Sequence, residues 1–261
     1  MRIAHLSDFH TRHHTFGHPT ILRRRSREMP VLLERATAEI SDHNPDVLVV
    51  TGDLVDTPFY GMIDPDCLEQ ARKDLRLVRE IIDPIDCPVL YLFGNHDHPA
   101  IFRDVFSDQT PDVTIDGYRF VSFYDEEVTD NFPERVGEQR ERFDRVLADA
   151  DTTPQVHLQH YMVWPENNKG YPHSYREALD LKARTVASGK VLLSLSGHFH
   201  GGVDAFEEGG TWFTTSRAFC ESPHPFRIYD LEGNHVEQTE NTLGREPINR
   251  VLFLDILGLL E

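Results

Sequence analysis

Apolar positions along the chain follow two alternating rhythms. Short β-branched and leucine-rich runs over residues 2–7, 46–51, 88–93, 155–160 and 190–196 each stop abruptly at polar residues, the pattern of buried strands. Between them lie segments with a helical period. Met29 to Asp42 repeats through Leu32, Leu33, Ala36 and Ile40, with Pro30 tolerable only in the first turn. Asp64 to Ile82 aligns Leu68, Ala71, Leu75, Val78 and Ile82 on one face. Shorter helices are expected over Pro99–Phe106, Gly137–Ala150 and Tyr175–Ala187. Val113–Ile115 and Tyr118–Tyr124 flank Asp116-Gly117, which suits a type I′ hairpin turn. Thr211–Thr215 and Phe226–Asp230 read as further strands with Gly-rich turns. Residues 11–27, the acidic stretch Asp125–Asp130 and residues 161–173 read as loops. The alternation predicts a layered α/β architecture. No repeat, low-complexity tract or linker divides it, so 1–261 reads as one domain, with 201–261 as its C-terminal strands and tail.

The polar residues that end these runs are chemically alike. Asp8, Asp53, Asn95, His160 and His198 all fall just past the ends of apolar strands, where α/β sheets gather their chemistry. Gly94-Asn95-His96-Asp97 is the densest of these stretches: an amide oxygen, an imidazole and a carboxylate behind a glycine that lets the backbone turn closely. With His10 and His200 the candidate metal ligands are Asp8, His10, Asp53, Asn95, His160, His198 and His200. All donate through oxygen or imidazole nitrogen, which suits Mn, Fe, Zn or Co and lacks the thiolates of a closed structural zinc site. Seven donors exceed one tetrahedral ion but fit two ions that share a carboxylate, for which Asp53 is the natural bridge. His157 is a rival to His160, although it lies within its strand rather than at the end.

Charge narrows the partners. The formal net charge of −18 argues against a general nucleic-acid binder, because a phosphate backbone would be repelled over most of the surface. Arg23-Arg24-Arg25 is a local exception that either clamps a phosphate or forms a solvated basic loop. Trp164, Tyr171 and Tyr175 either line a pocket or pack in the core. The three cysteines, Cys67, Cys87 and Cys220, form no framework and suit a reducing compartment. The chain opens directly on a strand with no charged-then-apolar leader, and the apolar run Val251–Leu260 is too short to span a bilayer. These features predict a cytoplasmic protein. Val251–Leu260 is expected to pack on the body or in a dimer contact, which leaves a homo-oligomer open.

Taken in order, Asp8-Phe9-His10, Gly52-Asp53, Gly94-Asn95-His96-Asp97, His160 and Gly197-His198-Phe199-His200 resemble the blocks of the calcineurin-like metallophosphoesterases. They span residues 8–200, and no expected ligand is missing. Asp97, where glutamate is the common alternative, resembles the branch of class III cyclic-nucleotide phosphodiesterases and glycerophosphodiesterases. Tyr161-Met162-Val163-Trp164 departs from the family, which often places a second His or a Pro directly after the His160 ligand. The resemblance implies a four-layer α-β-β-α sandwich of two mixed sheets flanked by helices. It implies one ion on Asp8, His10, Asp53 and His200, and another on Asp53, Asn95, His160 and His198. His96 would protonate the leaving group, and Asp97 would orient His96. The implied function is hydrolysis of a phosphodiester of a small soluble molecule by a metal-bound hydroxide. A phosphomonoesterase or nucleotidase would use the same site, and a nuclease or a non-catalytic scaffold are further alternatives.

Overall fold

The computed structural model describes residues 1–19 and 21–244, with the side chains of Phe59 and Tyr60 excepted. The run Val251–Leu260 lies outside the described residues. The elements in order are β1 (Arg2–Leu6), α1 (Met29–Asp42), β2 (Val47–Thr51), α2 (Pro65–Ile82), β3 (Val89–Leu92), α3 (Pro99–Val105), β4 (Asp112–Ile115), β5 (Tyr118–Ser122), β6 (Glu126–Glu127) and β7 (Pro133–Glu134). Then follow α4 (Gly137–Ala148), β8 (Gln155–Leu158), α5 (Ala178–Ser188), β9 (Val191–Ser196), β10 (Val203–Glu208), β11 (Thr211–Thr215), β12 (Pro225–Glu232) and β13 (His235–Thr242).

Two mixed sheets form, in the orders β13-β12-β1-β2-β3 and β10-β11-β9-β8-β5-β4. In the first, β1, β2 and β3 run parallel, with Leu6 beside Val50 and Thr51 beside Leu92. That register brings the residues after all three strands to one edge. In the second, β8 and β9 run parallel and deliver Gln159-His160 and Gly197-His198 to the same edge.

Three apolar clusters define four layers. Leu32, Leu33 and Ile40 of α1 and Leu75, Val78 and Ile82 of α2 pack on one face of the first sheet. Ile3, Val49 and Leu92 meet Val156, Leu158 and Leu195 between the sheets. Val121 and Phe213 pack beneath Phe143 and Val146 of α4 and Leu181 of α5. Strand positions alternate between the inner and outer clusters, so both faces of each sheet are apolar and the runs read as continuous.

Most element boundaries agree with the expectation to within a residue or two. Asp64 caps α2, its carboxylate accepting from Cys67 N at 2.8 Å. Asp116 and Gly117 both take positive φ, 45° and 79°, as a type I′ turn requires. α5 starts at Ala178 rather than Tyr175, because the Tyr175 ring is buried and its hydroxyl donates to Asp125 at 2.5 Å. The acidic stretch expected as loop carries the short strand β6, paired with β7.

Residues 11–19 and 21–27, read as a polar loop, are held by buried bonds. The Asp74 carboxylate of α2 accepts from His13 N (3.2 Å), His14 N (2.6 Å), Thr15 N (3.0 Å) and Thr15 Oγ1 (2.8 Å). Further along, Arg25 N donates to Cys220 O at 2.8 Å, and Arg24 bridges to Glu221. The loop is thereby fastened to α2 at one end and to the segment before β12 at the other. Among the described residues no helix is long and apolar enough to cross a membrane.

Candidate metal centre

The strand-end residues converge. After β1 the chain bends so that Asp8 N donates to Gly52 O (3.1 Å) and His10 N to Asp53 O (2.8 Å), tying the first two blocks together. Asp8, His10, Asp53 and His198 all take positive φ, between 47° and 65°. They are four of the nine such non-glycine residues among those described. Residues of this type tolerate that region better than most, yet its concentration at one sheet edge means the fold holds them there. Gly94 is required by close approach: a Cβ there would fall against Asp53 Oδ1 and 2.6 Å from His160 Cε1.

Two groups of donors meet at Asp53. On one side His10 Nε2 lies 3.2 Å from His200 Nε2, 3.3 Å from Asp53 Oδ2 and 4.0 Å from Asp8 Oδ1, and His200 Nε2 lies 3.6 Å from Asp8 Oδ1. On the other, His160 Nε2 lies 3.5 Å from Asp53 Oδ1 and 3.3 Å from Asn95 Oδ1. His198 joins Asp53 and His160 in one group of atoms within metal-binding reach. Ligands about 2.1 Å from a common ion stand roughly 3–3.5 Å from one another. Four of the six separations are of that size and the two to Asp8 Oδ1 are longer, and the atoms that converge are carboxylate, amide and ring donors with few hydrogens to share. The donor set therefore fits two ions that share Asp53.

Outer contacts agree with that fit, and the electrostatics divide: His160, although burial opposes it, is pushed up to about 9 by Asp53, whereas two other rings are lowered. Burial holds His10 and His198 well below the ordinary imidazole range, Arg24 adding to the effect at His10 and His160 at His198, a shift that favours the neutral ring a metal would need. Burial would raise Asp53, but the His160, His10 and His96 rings outweigh it and hold the carboxyl well below its usual range. His160 Nδ1 donates to Thr51 O at 2.6 Å, and His200 Nδ1 to Glu221 Oε1 at 2.6 Å. Each bond leaves Nε2 free to face the donors, the usual device for orienting a ligating imidazole. His157 points elsewhere: it sits inside the second sheet beside Phe123 and Phe143, with Nε2 2.8 Å from Gln155 Oε1.

One expectation is corrected. The family resemblance implied that Asp97 orients the His96 ring, but the Asp97 carboxylate accepts from the backbone N–H groups of Leu54 (3.1 Å), Val55 (2.9 Å) and Gly94 (2.9 Å). Asp97 thus staples the turn after Asp53 to the turn after β3. Its carboxyl is pushed up to about 7, mainly by burial and then by the charge of Asp53. The carboxylate beside His96 is Asp56, whose Oδ1 lies 3.1 Å from Nδ1 of His96. Asp56 is also 3.7 Å from His10 Nδ1 and accepts from Arg12 Nε (3.0 Å) and from one nitrogen of Arg24 (3.2 Å). Burial would raise it, but the neighbouring His10 and His96 rings hold it below the usual carboxylate range. The only sequence signal for Asp56 is its place three residues after Asp53. Glu221 has none, since 21 residues separate it from His200.

Two cavities flank this centre. One, of about 620 Å³, is lined by Arg12, Arg23, Arg24, His96, Phe199 and His200 among others. The other, of about 580 Å³, is lined by Thr57, Met62, Phe93, Glu126, Glu127 and Asn131. Asn95, His96 and Tyr171 line both. Tyr171 belongs to the loop after β8 and donates to Glu127 Oε1 at 3.0 Å. Tyr175 and Trp164 serve packing instead: Tyr175 is buried, and Trp164 donates to Glu208 at 2.8 Å.

A four-layer α/β sandwich with oxygen and imidazole donors grouped on either side of one strand-end carboxylate defines a metal-binding protein of the phosphoesterase type. The chain belongs to the calcineurin-like phosphoesterase family, whose model matches residues 1–202. Among solved structures it resembles a dimetal phosphatase from Danio rerio at 14% identity, covering 92% of this chain and 96% of that one with a TM-score of 0.68. It also resembles GAP50, the anchor in the inner membrane complex of Plasmodium, at 13% identity over 100% of this chain and 95% of that one, TM-score 0.57. A purple acid phosphatase from yellow lupin (Lupinus luteus) matches at 14% identity and a TM-score of 0.60, covering 92% of this chain but 51% of the lupin chain. At such identities the likeness is one of fold. No curated protein matches the sequence.

Proposed function

We propose that this chain is a binuclear metal-dependent phosphoesterase that hydrolyses a phosphodiester of a small molecule. The observation that carries this reading is the meeting of two donor groups at Asp53 with His96 beside them and a cavity on either side. Asp8, His10, Asp53 and His200 would hold one ion; Asp53, Asn95, His160 and His198 would hold the other. Bound there, two divalent ions would supply an activated water and neutralise the phosphoryl oxygens.

The remaining steps fall to the chain's own residues. With Nδ1 of His96 3.1 Å from Asp56 Oδ1 and the ring lining both cavities, Nε2 is the nitrogen left to serve a substrate. Burial would lower His96, but Asp53 and the Asp56 hydrogen bond outweigh it and raise the ring above its ordinary value. As the phosphorus–oxygen bond breaks, the Nε2 proton passes to the departing oxygen, so the leaving group departs as a neutral alcohol. A monoester needs room for one substituent, whereas two cavities meeting at His96 accommodate the two substituents of a diester. Asp97, the feature resembling the class III cyclic-nucleotide and glycerophosphodiesterase branch, is compatible with the same reading.

The test is hydrolysis of bis(p-nitrophenyl) phosphate against p-nitrophenyl phosphate, after metal removal and after addition of Mn²⁺. Metal-restored turnover that favours the diester supports the proposal. Two of the similar structures are named phosphatases, and preference for the monoester would replace the diester reading with that one. GAP50 is named as an anchor; failure to bind metal, with neither ester hydrolysed, would move this chain to a binding role.

A further inference from the structure

We propose that Arg24, with Arg23, recognises a second anionic group, a phosphate or a carboxylate, carried by the substrate within a few bonds of the phosphorus that is hydrolysed. This specifies the substrate class of the same centre and rests on the phosphoesterase reading above. In a chain of net charge −18, three arginines line a single cavity together with Asp53, Asn95, His198 and His200. They are not equivalent. Every nitrogen of the Arg12 guanidinium is engaged by the protein: Nε by Asp56 Oδ2 (3.0 Å), one terminal nitrogen by Asp56 O (3.0 Å) and the other by Phe16 O (2.8 Å). Arg12 is structural.

Arg24 is different. It is more than nine-tenths buried, one terminal nitrogen reaches Asp56 Oδ1 at 3.2 Å, and its Nε is buried with no partner among the described residues. A buried guanidinium with open donors is costly unless an anion completes it. Its backbone is fixed by the bridge to Glu221 and by Arg25 N donating to Cys220 O, so little ordering remains to be done when a ligand binds. Arg23, largely exposed, donates from Nε to Glu221 Oε1 at 2.8 Å and lines the same cavity.

Charge and reach set the chemistry. Asp56 is shared by two guanidinium groups, which leaves net positive charge on this wall. A single carboxylate, Asp56, separates Arg24 from His96. An anion attached directly or through one or two atoms to the scissile phosphorus therefore falls to Arg24, and a remote one passes beyond it. The other cavity carries Glu126 and Glu127 and repels the same group, so the charged substituent has one orientation.

The experiment compares binding of methylphosphonate, methylenediphosphonate and phosphonoacetate to the Mn²⁺-loaded protein and to its Arg24→Gln and Arg24→Lys variants, by calorimetry and by inhibition of bis(p-nitrophenyl) phosphate hydrolysis. The two-anion probes should bind the wild type more tightly than methylphosphonate. That advantage should fall about 10- to 100-fold in Arg24→Gln and return in part in Arg24→Lys. Loss for methylenediphosphonate alone restricts the group to phosphate; equal loss for phosphonoacetate admits a carboxylate. An advantage that survives Arg24→Gln overturns the proposal. Should that variant not fold, an Arg24→Lys protein with the full wild-type advantage, or a wild type with none, overturns it equally. Metal-dependent turnover without discrimination would sink this inference and leave the phosphoesterase standing; discrimination without turnover on either nitrophenyl ester would keep Arg24 as an anion-binding residue and overturn both the phosphoesterase reading and the substrate assignment that rests on it.

Discussion

Replacing Asp74 tests whether a helix remote from the chemistry organises the arginine wall. Asp74 is fully buried on α2 and accepts four hydrogen bonds from residues 13–15. Bonds to a charged acceptor contribute about 1.5–3 kcal/mol each, so rigid loss of all four would cost about 6–12 kcal/mol. The loop would not stay rigid. Three of the donors are backbone amides that can turn to water, and the visible cost of Asp74→Ala is then the free energy of opening this loop, about 2–4 kcal/mol. At about 2–4 °C per kcal/mol, the melting temperature should fall by about 5–15 °C. Amide exchange at His13, His14 and Thr15 should speed up about 30- to 1000-fold. Both metals should remain bound, because Asp8 and His10 are tied to Gly52 and Asp53 through their own backbone bonds. The Michaelis constant for a substrate that uses Arg24 should rise. The measurements are thermal denaturation, hydrogen exchange resolved to residues 13–15, and metal content. A variant that melts within about 1 °C of wild type, with unchanged exchange at those amides, would refute the reasoning.

Other substitutions probe the centre and the surface. His96→Ala should keep both metals and lose about 10²–10⁴ in turnover, by metal analysis and steady-state kinetics; normal kinetics would remove His96 from the mechanism. Gly94→Ala should impair metal binding and turnover together, since the added methyl falls against Asp53 and His160; an active, fully metallated variant would contradict that geometry. Asp149, although burial opposes it, is lowered from 3.8 to about 2 by Arg119 and Lys190. A carboxylate with a depressed folded-state pKa stabilises above its unfolded value and loses that contribution as pH falls through the folded one. The melting-temperature gap between wild type and Asp149→Asn should therefore be full above about pH 5 and close towards about pH 2; a gap independent of pH counts against the pairing.

The sequence by itself determined the strands, the long helices and the residues at the strand ends. Consecutive apolar positions specify doubly covered strands, and Leu68, Ala71, Leu75, Val78 and Ile82 specify one face of α2, because both periods are set by local backbone geometry. Parallel strands then carry Asp8, Asp53 and Asn95 to one edge without further instruction. Residues that act across the chain were hidden. Asp56 reaches His96, Glu221 orients His200, and Asp74 fastens a loop some 60 residues away in sequence. Asp97, which the family resemblance paired with His96, serves three backbone amides instead, because the turn aims its carboxylate inward and leaves the imidazole to Asp56. Tertiary structure alone decided these partners, since a carboxylate pairs with whichever donor the packed elements bring within about 3 Å, and no local period encodes that meeting.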